Sequence, residues 1–255
     1  MLLVIDIGNT NLVLGIFDGH ELKHSWRVST RRDQTPEEYT ILLHNLFQLR
    51  NLSPSHVDAV TISSVVPPLN ECFELLASSY LNVRAHFVDP ENQSLMKIRY
   101  TPVSDVGADR IVNAIAAYRM FGGPGVVVDF GTATTFDVIS KDGDYLGGII
   151  APGIGISAEA LFQRAARLPR IDIRKPRELV GQSTVSSMQS GIFYGYSGLV
   201  DGILERLAAE LGDSPSVTAT GGLARLISQE SKRIDRIEPD LTLHGLRIFY
   251  ESMAK

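Results

Sequence analysis

Val4-Ile5-Asp6-Ile7-Gly8-Asn9-Thr10-Asn11 and Val127-Val128-Asp129-Phe130-Gly131-Thr132-Ala133-Thr134 each set Asp-x-Gly after a short apolar run, 123 residues apart in a chain of 255. An apolar run of this length reads as a strand, and the Asp-x-Gly as its end turning back on itself. Such a turn can hold a nucleotide's phosphates. Backbone N–H groups and Thr or Asn side chains donate to phosphate oxygens, and the carboxylate manages a cation. Glycine stands where backbone must approach phosphate with no Cβ in the way. Two copies near half-chain spacing imply two like-folded halves with ATP between them.

Outward from these stretches the pattern repeats. Leu2 to Ile7 reads as a first strand. Leu12, Leu14 and Ile16 alternate with Val13, Gly15 and Phe17, apolar on both faces, which fits a central second strand. Asp18-Gly19 makes a turn and Leu22 to Val28 a third strand. Pro36-Glu37-Glu38 opens a helix, since Pro suits the first turn and acids suit the positive dipole end. Val57 to Val66 reads as strand, Pro67-Pro68 launches a helix through Leu81, and Ala85 to Val88 is strand again. The second half restarts with strands at Gly125 to Asp129, Thr135 to Ser140 and Tyr145 to Ile150. Its Asp142-Gly143 turn lies 124 residues from the first Asp-Gly turn. Motif and turn recurring at one offset argue for an internal duplication. Helices follow at Ser157 to Leu168, Ser183 to Leu211 and Leu241 to Met253, with a strand at Ser216 to Thr220 ending in Gly221-Gly222. We divide the α/β chain into halves at 1–120 and 121–255.

The long helix carries Gly191, Gly195, Gly198 and Gly202 on one stripe. Each costs about 1 kcal/mol of helix propensity relative to Ala, so a close helix contact is expected there, within the subunit or across a dimer.

Composition narrows the classes. Apolar residues are 44%, charged residues 21% and net charge −5 with no basic run, so nucleic acid is not an expected partner. The single cysteine, Cys72, cannot form an internal disulfide, in keeping with a reducing compartment. It reads as a small buried apolar residue. No apolar run reaches transmembrane length and the N-terminus lacks a signal pattern, so the expected location is the cytoplasm, with no membrane partner. The six histidines show no ligand spacing, and there is no Gly-x-x-x-x-Gly-Lys-Ser/Thr loop. The Ser63-Ser64 pair lacks the setting of a nucleophile. Arg31-Arg32 reads as solvated surface.

Asp109 falls in the first turn of a helix beginning near Ile111, after Gly107, which permits a tight turn. From the residues alone, two readings stay open: a carboxylate serving the helix dipole, or a catalytic base. Arg110 is either a surface residue or a bidentate grip on a carboxylate. Thr184 is either a helix cap or a substrate contact. Gly221-Gly222 is either a strand-to-helix turn or a close wall beside a ligand.

Asp6-Ile7-Gly8-Asn9-Thr10-Asn11, Gly107-Ala108-Asp109-Arg110, Asp129-Phe130-Gly131-Thr132-Ala133-Thr134-Thr135, Gly147 to Gly153 and Thr220-Gly221-Gly222 together resemble the acetate kinase, sugar kinase, Hsp70 and actin superfamily. More closely, they resemble type III pantothenate kinases, over nearly the whole chain. The resemblance implies duplicated ribonuclease-H-like halves, each a mixed sheet with three antiparallel leading strands flanked by helices. It implies ATP-dependent phosphorylation of pantothenate, the entry step of coenzyme A synthesis, by a homodimer using Mg2+ and a monovalent cation, K+ or NH4+.

By that resemblance Asp6, Ile7, Gly8, Asn9, Thr10, Asn11, Leu12 and Val13 surround ATP, with Thr132 on its phosphates and Gly221 and Gly222 beside adenosine. Asp6 holds Mg2+ through water, and Asp129 the monovalent cation. Tyr100, Gly107, Ala108, Asp109, Arg110 and Thr184 meet the acceptor, Asp109 as general base. In the family the acceptor pocket lies at the subunit interface, so Thr184 can serve the neighbouring site. The competing readings are a non-catalytic transcription accessory regulator on the same fold, and another small-molecule kinase or ATPase of the superfamily. Asp6, Asp109 and Asp129 standing together favour catalysis.

Overall fold

The computed structural model describes residues 1–253. In chain order the elements are β1 (Leu2–Ile7), β2 (Asn11–Asp18), β3 (Glu21–Ser29), α1 (Pro36–Gln48), β4 (Ala59–Ser64), α2 (Asn70–Ser79), β5 (Ala85–Phe87) and α3 (Ala108–Phe121). Then come β6 (Gly125–Phe130), β7 (Ala133–Ile139), β8 (Tyr145–Pro152), α4 (Ile154–Arg164), α5 (Thr184–Leu211), β9 (Ser216–Thr220), α6 (Ala224–Ile227), β10 (Arg236–Ile237) and α7 (Leu241–Met253).

The two sheets share one topology. The first runs β3-β2-β1-β4-β5 and the second, read in the matching direction, β8-β7-β6-β9-β10. In each, the three leading strands are antiparallel and the last two join in parallel. The duplication extends to burial and irregularity. β1 and β6 show the same pattern, four buried residues, then a half-buried Asp, then a buried residue. A register shift falls at Ile16/Phe17 between β2 and β3, and at Val138/Ile139 between β7 and β8. A bulge bends a ladder and raises its twist, so its recurrence marks a shared backbone path.

Each unit has its own core. In the first, Leu3, Ile5 and Ile7 of β1 meet Leu12, Leu14 and Ile16 of β2, with Tyr39, Leu43 and Phe47 of α1 and Phe73 and Leu76 of α2. The α1 face is read from Tyr39, Leu43 and Phe47, spaced four apart, and the helix is closed by a Thr35–Glu38 capping box. Cys72 is buried in the same helical layer and burial raises its thiol pKa. In the second, Val126 and Val128 of β6 and Phe136 and Val138 of β7 meet Ile192, Phe193, Tyr196 and Val200 of α5.

The division expected at 121–255 is corrected by α7. One compact unit comprises Met1–Ala116 together with the C-terminal segment from Leu241; the other is Ala117–Asp240. Leu243, Leu246 and Phe249 of α7 pack with Leu2, Val4 and Phe17 of the first sheet. Periodicity located this helix, but its apolar stripe carries no label for the sheet it covers.

Of the two close helix contacts expected at the α5 glycine stripe, the one within the subunit is not found. Gly191, Gly195 and Gly198 are exposed, and a Cβ there meets no described atom within 4 Å. The tight helix crossing is at Gly245 of α7, where a Cβ would stand 2.1 Å from the Val112 carbonyl oxygen of α3. Thr242 Oγ1 donates to Asn113 Oδ1 at 2.7 Å across the same crossing. Gly245→Ala is expected to destabilise the fold by about 1–3 kcal/mol through overpacking, read as a lower melting temperature. Unchanged melting would refute the crossing.

Boundaries shift for local reasons. The strand expected over 57–66 is shorter because a 3-10 turn at Pro54–His56 precedes it. Pro67–Leu69 form a 3-10 turn, so α2 begins only at Asn70. The helix expected over 157–168 runs Ile154–Arg164, started by Gly153 and by burial of Ile154.

Candidate functional site

Asp6 and Asp129 occupy equivalent places, one residue before the ends of β1 and β6, and both are half-buried. Their neighbours on the parallel strands also correspond: Ser63 pairs with Asp6 and Thr220 with Asp129. Ser63 Oγ donates to Asp6 Oδ1 at 2.5 Å and is itself fully buried. In the sequence Ser63 reads only as a hydroxyl without the setting of a nucleophile. Its signal was the topology, since the strand after α1 must lie beside β1 in a right-handed crossover.

The first turn is tight. The Gly8 N–H donates to the Asn11 carbonyl at 3.0 Å, and a Cβ on Gly8 would stand 2.9 Å from that oxygen. Asn9 and Thr10 are exposed at the tip. Ile7 and Leu12 are buried in the core, so any contact they make with a ligand is through backbone. Val13 is half-buried on the other face of β2.

Two glycines shape the second turn. Thr132 is exposed beside Gly131. A Cβ on Gly153 would stand 2.0 Å from the Thr132 carbonyl oxygen, so the start of α4 lies against this loop. Gly221 has φ +90°, and a Cβ there would stand 2.4 Å from Asp129 Oδ1 and 2.7 Å from the Phe130 backbone nitrogen. The turn after β9 thus rests on Asp129 and Phe130. Gly222 follows it, exposed. Gly153 belongs to the 147–153 stretch, whose sequence carries no sign that it buttresses Thr132.

Asp109 lies in the first turn of α3, as expected. Its Oδ1 accepts the Arg110 N–H at 2.8 Å, so the carboxylate folds back over the helix N-terminus. Gly107 makes room, since a Cβ there would lie 2.4 Å from Asp109 Oδ1. Burial raises the Asp109 carboxyl above its ordinary value of 3.8, opposed by the Arg110 N–H and by the Arg110 charge. Arg110 is 8% exposed, which corrects its surface reading. Ala108 is buried, while Tyr100 and Gly107 are half-buried.

A raised carboxyl pKa has a stability consequence. The folded state holds the proton more tightly than the unfolded chain, so ionised Asp109 costs stability at pH above its folded pKa. Asp109→Asn is expected to raise the melting temperature at pH 7. The gain shrinks as pH falls through the folded pKa and vanishes below the unfolded one. A pH-independent difference in melting would contradict this.

Thr184 is exposed at the first position of α5. The cap reading weighed for it belongs to Ser183, whose side chain accepts the Ser186 N–H. Among the described residues, no cluster of three or more His, Cys, Asp or Glu is arranged to hold a metal ion. Mg2+ needs no such cluster, because it keeps several waters and binds through one or two carboxylates plus phosphate oxygens. Asp6 supplies hard oxygen at the head of a turn with exposed polar tips, which fits that chemistry.

Other proteins bear on this arrangement. The type III pantothenate kinase family model matches residues 2–206. A type III pantothenate kinase of Geobacter sulfurreducens is 55% identical over 251 residues, 98% of this chain and 98% of the relative. The activator of 2-hydroxyisocaproyl-CoA dehydratase from Clostridium difficile, solved with bound ADPNP, has a similar fold with TM-score 0.58, 12% identity and coverage of 99% and 95% of the two chains. A polyphosphate/ATP-glucomannokinase from Arthrobacter is similar at TM-score 0.53 and 18% identity, covering 100% and 99%. The solved structures bear on fold alone, which is that of the actin-like ATPases and sugar kinases. With its duplicated strand-end turns and near full-length match, the chain belongs to the type III pantothenate kinase family.

Proposed function

We propose that this chain transfers the γ-phosphoryl group of ATP to the primary hydroxyl of pantothenate, opening coenzyme A synthesis, with Asp109 as general base. The observation that carries the base assignment is the placement of Asp109. Burial raises its proton affinity, bringing it nearer working pH, where a general base is more effective. The attacking hydroxyl oxygen bonds to the γ-phosphorus as the bond to the β–γ bridging oxygen breaks. The hydroxyl proton passes to Asp109 and ADP leaves. Arg110 beside it supplies a planar guanidinium suited to pantothenate's carboxylate. Tyr100, Ala108 and Gly107 shape the acceptor side, and Thr184 adds a hydroxyl, in its own subunit or its neighbour's.

The turns at 8–11 and 131–132 donate to the phosphates, and Gly221-Gly222 lines the adenosine. Mg2+ on Asp6 would neutralise phosphate charge. A monovalent cation, K+ or NH4+, is assigned to Asp129. Homodimerisation accords with the exposed glycines of α5 and the exposed face of β8 at Leu146 and Ile150. No helix among the described residues is long and apolar enough to cross a membrane, and the cytoplasm is the proposed place of work.

The direct test supplies γ-labelled ATP with Mg2+ and K+, with and without pantothenate. Label is expected in the acceptor and only when pantothenate is present. Equal release as inorganic phosphate in both would replace the kinase reading with an ATPase. Exchanging K+ for Na+ is expected to raise the KM for ATP. An unchanged KM would remove the cation from Asp129.

A further inference from the structure

The segment joining β3 to α1 is fastened to the first Asp-x-Gly turn. Thr30 Oγ1 donates to the Gly8 carbonyl at 2.6 Å, and the Thr30 N–H to the Thr10 carbonyl at 2.9 Å. The next residue is held by a buried phenol. Tyr39, 2% exposed and packed on Phe73, accepts the Arg31 N–H at 3.1 Å and donates to the Arg31 carbonyl at 2.8 Å. Thr35 then caps α1. Arg32 therefore springs from a backbone tied down on both sides. Its Nη2 donates to Asn9 Oδ1 at 2.6 Å, at the tip of the turn.

That bond settles which way the Asn9 amide points. A guanidinium has donors and no acceptor, so the amide must offer it oxygen, and the NH2 is turned to the other side. A turn that binds phosphate needs donors presented outward. Without Arg32, the amide can rotate and set its oxygen against phosphate oxygens. We infer that Arg32 is a positioning residue for the nucleotide site, locking Asn9 with its NH2 toward the ATP phosphates. The inference rests on the reading of 6–13 as the phosphate turn. It replaces the view of Arg32 as solvated surface.

The test compares Arg32→Ala, Arg32→Lys, Asn9→Ala and the double Ala variant by steady-state kinetics in ATP, with melting temperature in parallel. Arg32→Ala is expected to raise the KM for ATP about tenfold, the scale of one hydrogen bond to a charged group. The kcat should change less than about twofold and melting should stay as in the wild type. Lys, also donor-only, is expected to recover most of the loss. In the Asn9→Ala background, removing Arg32 is expected to add little, because both act through one amide. Multiplicative effects would mean that Arg32 meets phosphate directly, and would overturn the positioning role. An unchanged KM in Arg32→Ala overturns it too. If Asn9→Ala itself leaves the KM unaltered, the phosphate-turn reading fails and the inference with it; failure of Arg32→Ala alone leaves that reading standing.

Discussion

Asp109→Asn is expected to lower kcat by about 10²–10⁴, the usual contribution of a positioned proton acceptor, while ATP binding measured by calorimetry is retained. The amide keeps the shape of the carboxylate at the start of α3, and its oxygen can still accept the Arg110 N–H that Asp109 Oδ1 takes at 2.8 Å. What it loses is the ability to take a proton from the acceptor. Because the ionised carboxyl is held in a desolvating setting that raises its pKa, the variant melts higher at neutral pH. Lost turnover then cannot be blamed on unfolding. Weakened ATP binding with near-normal kcat would place Asp109 at the nucleotide instead of the acceptor.

Gly221→Ala is expected to have the largest structural effect at the site. Two costs coincide there. At φ +90° a Cβ is strained wherever it has space, at about 1–3 kcal/mol. The space is also taken, since the Cβ would meet Asp129 Oδ1 at 2.4 Å and the Phe130 backbone at 2.7 Å. Overpacking against backbone costs a further 1–3 kcal/mol or so. Together these are a large share of the roughly 5–15 kcal/mol that holds a domain folded. The melting temperature should fall by several degrees, and the KM for ATP should rise in whatever protein remains folded, because the β9 turn can stay only by displacing Asp129. Gly222→Ala, at an exposed neighbour, provides the contrast in melting. Wild-type melting and KM in Gly221→Ala would show that the turn does not bear on Asp129.

The duplication was legible because strand ends punctuate strongly. Asp6 and Asp129, each after buried β residues and before a glycine, repeat with their hairpins, and the structure returns them with identical burial. Asp109 was legible as a helix-start carboxylate. Its raised pKa was not, because burial is set by how the chain packs and is not written in the local pattern. The α7 assignment failed for a related reason. Leu243, Leu246 and Phe249 announce an apolar face, yet only the Gly245–Val112 approach and the packing on Leu2, Val4 and Phe17 say where that face goes. Glycine spacing at α5 marks no contact within the chain, where the stripe is open, while a lone Gly245 is a tight crossing. Arg32 was dismissed by exposure, a property that does not reveal its bond to Asn9. Ser63 was judged for reactivity when its work is to hold Asp6.

The proton-accepting role of position 109 is tested most directly by the acid limb of kcat/KM for pantothenate, measured in wild type and in Asp109→Asn under the same buffers. The wild type should lose rate with falling pH through a single ionisation lying above 3.8, and the residual rate of the variant should lack that ionisation. The same limb in both proteins would mean that another group takes the proton.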